Sequence, residues 1–398
     1  MLTPEELLVI IDSMQPIIDG LNVFIVQDIV DRIVARLERG EPLSLSGTDD
    51  WQIKVYQEAG GHLDKLKAEL QKFLKASDAE IQAIFEEAAI RSVEVDTEVY
   101  KAAGVPVPEN PMSERMIRIL ADTYKRTGGE VRNFSRSTAE ASQRRFTELL
   151  DEAHIKVMTG VQSYSEAVSD VVDALCDKMP EVLYPSGHRD TLETAVTRAV
   201  RTGVAQACGS MSLQQMDDFG WDLIRVSAHL GARYGDGGEN PGNHAWWQGK
   251  LFSKSGTDPK YPPFSETGYG TGEGLCGWNC RHSFGPGDPN HNPYADYDKA
   301  ENKKAFDLSQ KQRRREAAIR RTKLKMIGLT AAIDGTTDIE QKGKLKEEYT
   351  KLAKKLARQN AEYSEFCKAN GLRTMSDRTH VGGWTRGQTR RSIAAAKS

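Results

Sequence analysis

The chain has 398 residues, 38% of them hydrophobic, and a formal net charge of −3, a length that suits two or three domains and a composition that argues against wholesale disorder. The charge is unevenly spread: residues 299–398 carry 25 Lys and Arg against 11 Asp and Glu, a formal +14, and residues 1–298 carry 29 against 46, a formal −17. The first apolar cluster, Leu7 to Ile11, sits in an acidic amphipathic start, and no run approaches the ~18 consecutive apolar residues of a membrane span, so a soluble protein made in a cytoplasm is expected, with no signal peptide.

In chain order, residues 1–215 read as almost wholly helical. Thr3, Pro4 and Glu6 form a helix start with a capping box. A second helix is expected from about Asn22, with Val23, Ile25, Val26, Ile29, Val30, Ile33, Val34 and Leu37 on one stripe and Gly40 as its stop. Ser77-Asp78-Ala79-Glu80 reads as another capping box opening a helix. The prolines of Val105 to Pro111 exclude helix and mark a boundary. Beyond them, stripes at Phe146, Leu149, Leu150, Ala153 and Val157, at Ala167, Val168, Val171, Val172 and Leu175, and over Thr191 to Met211 predict three further helices. Cys208 reads as core packing.

The period then changes. Trp221 to Ser227 predicts a strand from its aromatic and β-branched content. Glycine, proline and asparagine dominate Gly231 to Pro293, which predicts a small α+β module with long, function-bearing loops. A helix with a dense basic run follows from about Tyr297 to Gly328, then one from about Asp338 to Ala369, together an antiparallel hairpin. The expected class is α+β: a mainly α-helical N-terminal region, a small Gly/Trp/Cys/His-rich α+β module and a basic C-terminal helical hairpin. The expected domains are 1–105, 112–215, 216–296, 297–370 and a basic flexible tail, 371–398.

The stretch from Trp221 to His291 concentrates the chemistry: four of eight histidines (His229, His244, His282, His291), two of five cysteines (Cys276, Cys280) and four of six tryptophans (Trp221, Trp246, Trp247, Trp278). The odd cysteine count, with Cys176, Cys208 and Cys367 isolated, speaks for reduced thiols. Cys276, Cys280 and His282 with His244 form a candidate zinc set, since zinc prefers thiolate and imidazole donors. The spacing matches no standard finger, and buried thiols beside hydrogen-bonding histidines are the metal-free alternative. A nucleophilic Cys280 with His229 or His244 as base is an enzyme-class alternative in residues 229–282. Gly268 to Gly274 lacks the Lys-Ser/Thr ending of a phosphate loop and reads as tight turns. Of the tryptophans, one is expected in the core and another at an interface. The basic helix offers Arg313, Arg314, Arg315, Arg320, Arg321, Lys323 and Lys325 as candidate contacts to a phosphate backbone, against a solvated helix face.

Several stretches together resemble the phage minor capsid protein 2 family, related to the phage Mu F-like head-morphogenesis domain: Val226 to Arg233, His244 to Phe252, Gly268 to Phe284, Gln310 to Arg321 and Thr194 to Ala207. The residues that carry the likeness are His229, Arg233, His244, Trp247, Gln248, Gly249, Gly270, Gly272, Gly274, Asn279, Cys280, Arg281 and His282. The resemblance implies a virion component of the phage head interior, with the portal protein and other head proteins as partners and a part in head assembly, DNA packaging or ejection. It implies no catalysis and no cofactor. Contact of the basic end with packaged double-stranded DNA is an added expectation from charge.

Overall fold

In the computed structural model, which describes residues 1–9, 12–39 and 48–398, helix makes up 67% of the chain, so within the α+β class helix far outweighs strand. The chain gathers into two compact units: Met1–Met14, Ala76–Arg132 and Thr194–Gln310 in the first, Gln15–Lys75, Asn133–Glu193 and Lys311–Ser398 in the second. The core of each unit is therefore assembled from segments far apart in sequence.

Helix α1 (Pro4–Val9) opens with the expected box: Thr3 Oγ1 accepts from Glu6 N at 3.1 Å and Glu6 Oε2 accepts from Thr3 N at 2.8 Å. Helix α2 (Gln15–Glu38) begins well before Asn22, because Pro16 falls in its first turn, where a missing N–H leaves no intrahelical bond unmade. Its predicted apolar stripe is buried, while the stop expected at Gly40 lies outside the described residues. The stretch Pro4–Glu38 is long and apolar enough to cross a membrane by length and composition alone. Burial of Asp19, Asp28 and Arg36 on α2 beside the stripe fits a core helix.

Helix α3 (Thr48–Ala102) runs straight through Ser77–Glu80, correcting the helix start expected there. The Ser-x-x-Glu pattern caps only where the chain enters from outside a helix. Here Leu, Lys and Ala on the N-terminal side favour propagation, and Ser77 Oγ is left buried without a hydrogen-bond partner. The proline stretch ends that helix as expected, and α4 (Glu114–Met158) follows. Helix α5 (Tyr164–Asp177) starts on a complete Ser163/Glu166 capping box and buries its predicted stripe. A two-stranded antiparallel ribbon, β1 (Glu181–Leu183) with β2 (Arg189–Thr191), lies between the helix expected to Leu175 and the next, in a region read as almost wholly helical, and α6 (Leu192–Asp218) follows.

The α+β module within residues 216–296 belongs to the first unit. Strand β3 (Leu223–Val226) is central in an antiparallel sheet, between β4 (Leu251–Ser253), which follows the one-turn helix α7 (His244–Trp247), and β5 (Phe284–Pro286). Ile224 stands opposite Phe252 and Pro286, and Val226 opposite Phe284. Ile224, Val226, Phe252 and Phe284 join Tyr100, Met216, Trp247, Phe264, Leu275, Cys276 and Cys280 in one buried cluster. With strands this short, the sheet depends on that cluster and on side-chain clamps across its loops.

In the second unit, α8 (Lys299–Gly335, from Lys311 on) and α9 (Ile339–Ala369) make the expected hairpin. Gln312 Nε2 donates to Tyr363 Oη at 3.3 Å and Tyr363 Oη donates to Glu316 Oε1 at 2.8 Å. These partners lie at similar sequence distances on either side of the turn, as an antiparallel pair requires. Residues 371–398, expected as a flexible tail, instead carry α10 (Arg386–Lys397), capped by Thr385 and Gln388. The Arg391 guanidinium sits 5.1 Å from the centre of the Tyr349 ring on α9, and Val381 is buried with Val23 and Ile327. Basic and glycine content hid a Thr-x-x-Gln box and an apolar anchor that together outweigh the tail's polarity.

Candidate functional site

Two pieces of local structure bring the predicted cysteine and histidine residues together. The first is α7 with the residue after it: His244, Trp247 and Gln248 stand three and four positions apart, which puts them on one face of a turn. The second is the loop from Gly268 to Phe284. Cys276 and Asn279, both at φ 57°, are the only non-glycine residues with positive φ among the described residues, and they bend the chain just before Cys280. Beyond the bend the chain is extended, so Cys280 and His282 face the same way into the interior while Arg281 between them is half-buried.

One ligand atom from each of His244, Cys280 and His282 lies within 4.8 Å of the others, and all three residues are buried. Cys280 Sγ is 3.7 Å from His282 Nδ1. His282 Nε2 lies 3.1 Å from Gln248 Oε1 and His244 Nε2 lies 2.9 Å from the Glu273 carbonyl oxygen. Because both oxygens only accept, both imidazoles carry their proton on Nε2. Gln248 Oε1 also accepts the His229 backbone N–H at 3.1 Å. The His229 ring stacks on His282 at 4.6 Å between centroids and donates through Nδ1 to the Leu230 carbonyl oxygen at 3.0 Å. Trp247, fully buried, meets His282 edge-on at 4.8 Å and donates to the Pro241 carbonyl oxygen at 3.0 Å.

Burial pulls His229 and His244 down to about 4 and His282 well below the usual imidazole value, so the rings are neutral at physiological pH. Burial also raises the Cys276 and Cys280 thiols. An activated nucleophile needs the opposite shift and an approach from solvent, and Cys280 is only 1% exposed. The arrangement suits soft-donor ligation or rigid packing better than covalent catalysis.

Not every candidate joins the cluster. Cys276 is not one of the three converging donors, although its thiol, like that of Cys280, approaches the His282 carbonyl oxygen, at 3.7 and 3.8 Å. His291 stays outside the cluster: its carbonyl oxygen accepts from Arg225 Nη2 at 3.2 Å and its backbone N–H donates to the Asp288 carbonyl oxygen at 3.4 Å. Arg233 donates to the Trp278 carbonyl oxygen at 2.7 Å, pinning the Cys276 to Cys280 loop. Trp278 itself is 58% exposed, so Trp247 is the core tryptophan. Two clamps escape sequence reasoning. Asn302 accepts from both Gly231 N and Ala232 N at 2.8 Å and donates back to the Ala232 carbonyl oxygen. Arg225, buried on β3, donates to the Gly249 and Asp288 carbonyl oxygens at 3.0 and 2.9 Å. A charge inside an apolar strand was the available signal for Arg225; Asn302 offered none.

Among the basic candidates, Arg314 and Arg321 are exposed. Lys325 is buried between Asp173 and Asp177, 2.9 Å from each. Arg320 pairs with Glu193 at 2.9 Å, Lys323 donates to the Thr379 carbonyl oxygen, and Arg315 stacks 4.0 Å over the Phe366 ring. Arg313 is half-buried, and burial, with the Arg378 charge nearby, lowers its pKa.

Compared with known proteins, residues 2–364 match the family model described as phage minor capsid protein 2. The chain is also 26% identical over 229 residues to a structural protein of Lactococcus phage LL-H, a match covering 54% of this chain and 60% of that protein. No solved structure matches.

Proposed function

Because the chain belongs to the phage minor capsid protein 2 family, and is thus a structural component of a virion, we propose that it works inside the phage head at the portal vertex. There it supports head assembly and the packaging or ejection of DNA, without catalysing a reaction. The observation that carries this reading is the extent of the family match. Residues 2–364 take in His244, Cys280 and His282 together with most of both units, so this cluster lies within the part of the chain that matches the capsid family. The protein's partners are the portal protein, other head proteins and the packaged double-stranded DNA. The DNA contact is non-specific and runs through Arg314, Arg321 and the exposed lysines of α9, among them Lys346, Lys354 and Lys355.

The test is affinity purification of a tagged copy from infected cells. Recovery of the portal protein in a fixed ratio, and retention of both in heads stripped of tails, is the expected result. Recovery with tail proteins alone would refute the placement.

A further inference from the structure

We propose that His244, Cys280 and His282 bind one Zn²⁺, through Nδ1 of each imidazole and the Cys280 thiolate. The inference stands on the geometry of the cluster and is independent of the placement at the portal vertex.

The hydrogen bonds select the ligand atoms. Glu273 O and Gln248 Oε1 hold the Nε2 protons of His244 and His282, which leaves Nδ1 as the lone-pair nitrogen on both rings. A carbonyl acceptor on the far nitrogen is the usual outer support of a metal-bound histidine, fixing both tautomer and ring orientation. The Cys280–His282 pair has the spacing of a bound site, and the three donors, within 4.8 Å of one another, need to close in slightly: with Zn–S about 2.3 Å and Zn–N about 2.0–2.1 Å, a tetrahedral site separates sulfur from nitrogen by about 3.6 Å. Cys280 Sγ and His282 Nδ1 are 3.7 Å apart.

The donor set is thiolate and imidazole with no carboxylate, which favours zinc over magnesium or calcium. Three protein ligands leave the fourth position to water or another small ligand. On binding, the Cys280 thiol gives its proton to solvent, one H⁺ released per Zn²⁺ bound, so the metal replaces a neutral buried thiol with a neutralised thiolate. Plain core packing accounts for the burial of these residues. It does not by itself call for two imidazoles and one thiol from separate segments to converge within 4.8 Å of one another, nor for two non-glycine residues at positive φ in the loop that delivers the sulfur.

The test uses the full chain without a histidine tag, expressed in zinc-supplemented medium and purified without chelators. Elemental analysis is expected to give about one zinc per chain. A cobalt-grown preparation is expected to show a thiolate-to-cobalt charge-transfer band that Cys280→Ser abolishes. Should Cys280→Ser fail to fold, Gln248→Ala supplies the second arm: it removes the acceptor behind His282, along with the partner of the His229 backbone N–H, touches no proposed ligand atom, and is expected to weaken zinc affinity about 10–100-fold, as loss of such outer partners does. Folded wild-type protein that contains no zinc and takes up no cobalt would overturn the proposal. So would zinc whose affinity is unchanged in Gln248→Ala and whose cobalt band persists in Cys280→Ser.

Discussion

Replacing Gly274 with alanine tests whether the glycine-rich loop is shaped by lack of space rather than by backbone freedom. A Cβ at Gly274 would lie 2.2 Å from the Gly268 carbonyl oxygen, 2.5 Å from its carbon and 2.7 Å from the Thr267 oxygen. All three are main-chain atoms, so no rotamer change relieves the clash, and one side of the loop must move by about 1 Å to reach ordinary contact. That movement pulls on the bond from Leu275 N to Thr267 O, 3.0 Å long, and on the fully buried Leu275 side chain. Overpacking of about 2 kcal/mol and a strained hydrogen bond of about 1 kcal/mol give about 3 kcal/mol. Gly270 is the control: its φ is +88°, but a Cβ there meets nothing within 4 Å. Gly270→Ala therefore costs only the left-handed backbone penalty, about 1–2 kcal/mol. Hydrogen exchange of peptides over residues 268–284 reads both variants. Local opening should rise about 100-fold for Gly274→Ala and about 10-fold for Gly270→Ala, at about 1.4 kcal/mol per decade. Equal effects, or a larger effect at Gly270, would refute the steric account.

Three further predictions concern the second unit. Asp28 Oδ2 accepts from His62 Nδ1 and Arg32 Nε, each at 2.7 Å; burial alone would raise its pKa, but these hydrogen bonds and the Arg32 charge lower it. A lowered carboxyl stabilises the fold above the unfolded value of about 3.9 and loses that contribution as pH falls through the folded value. Asp28→Asn should accordingly cost about 3 kcal/mol at neutral pH and flatten the acid limb of a stability–pH profile measured by α2 amide exchange; a profile as steep as wild type would count against the network. Lys325→Ala should destabilise the packing of α8 on α5 by about 1 kcal/mol, its partners being half exposed, and leave the salt slope of DNA binding unchanged. Arg314→Ala with Arg321→Ala should do the reverse, lowering the slope by about 2; the opposite pattern in filter-binding titrations would exclude these two residues as the contact.

The helices were legible because burial on one side of a helix repeats every three to four residues, as the stripes of α2 and α5 do. Helix ends were less so. The same Ser-x-x-Glu spelling caps α5 at Ser163 yet lies inside α3 at Ser77, since whether it caps depends on the path of the chain before it. The ribbon of β1 and β2 has three-residue strands, too short for any period to register. The grouping into two units left no local trace, because each core joins segments that are remote in sequence. In the site, the Cys-x-His spacing and the richness of the Trp221 to His291 stretch pointed to Cys280, His282 and His244. What separated Cys280 from Cys276 was the pair of left-handed residues, Cys276 and Asn279, a backbone choice that side-chain chemistry does not spell out.

The formal +14 of residues 299–398 shows how a charge count differs from a charge surface. Lys325 faces two aspartates on α5, Arg320 faces Glu193, and Arg315 lies over the Phe366 ring. Each of these cations joins one helix to another, and their loss would be felt in stability first. Lys323 donates to the backbone just before α10, so part of the basic run orders the very segment whose composition suggested mobility. The charge left for a polyanion lies on exposed residues such as Arg314, with lysines of α9; Arg321 is exposed but shares Asp177 with Lys325, at 3.9 Å. Counterion release scales with the phosphates neutralised and not with the total of basic residues. A DNA contact made this way would therefore be both weaker and less steeply salt-dependent than +14 implies.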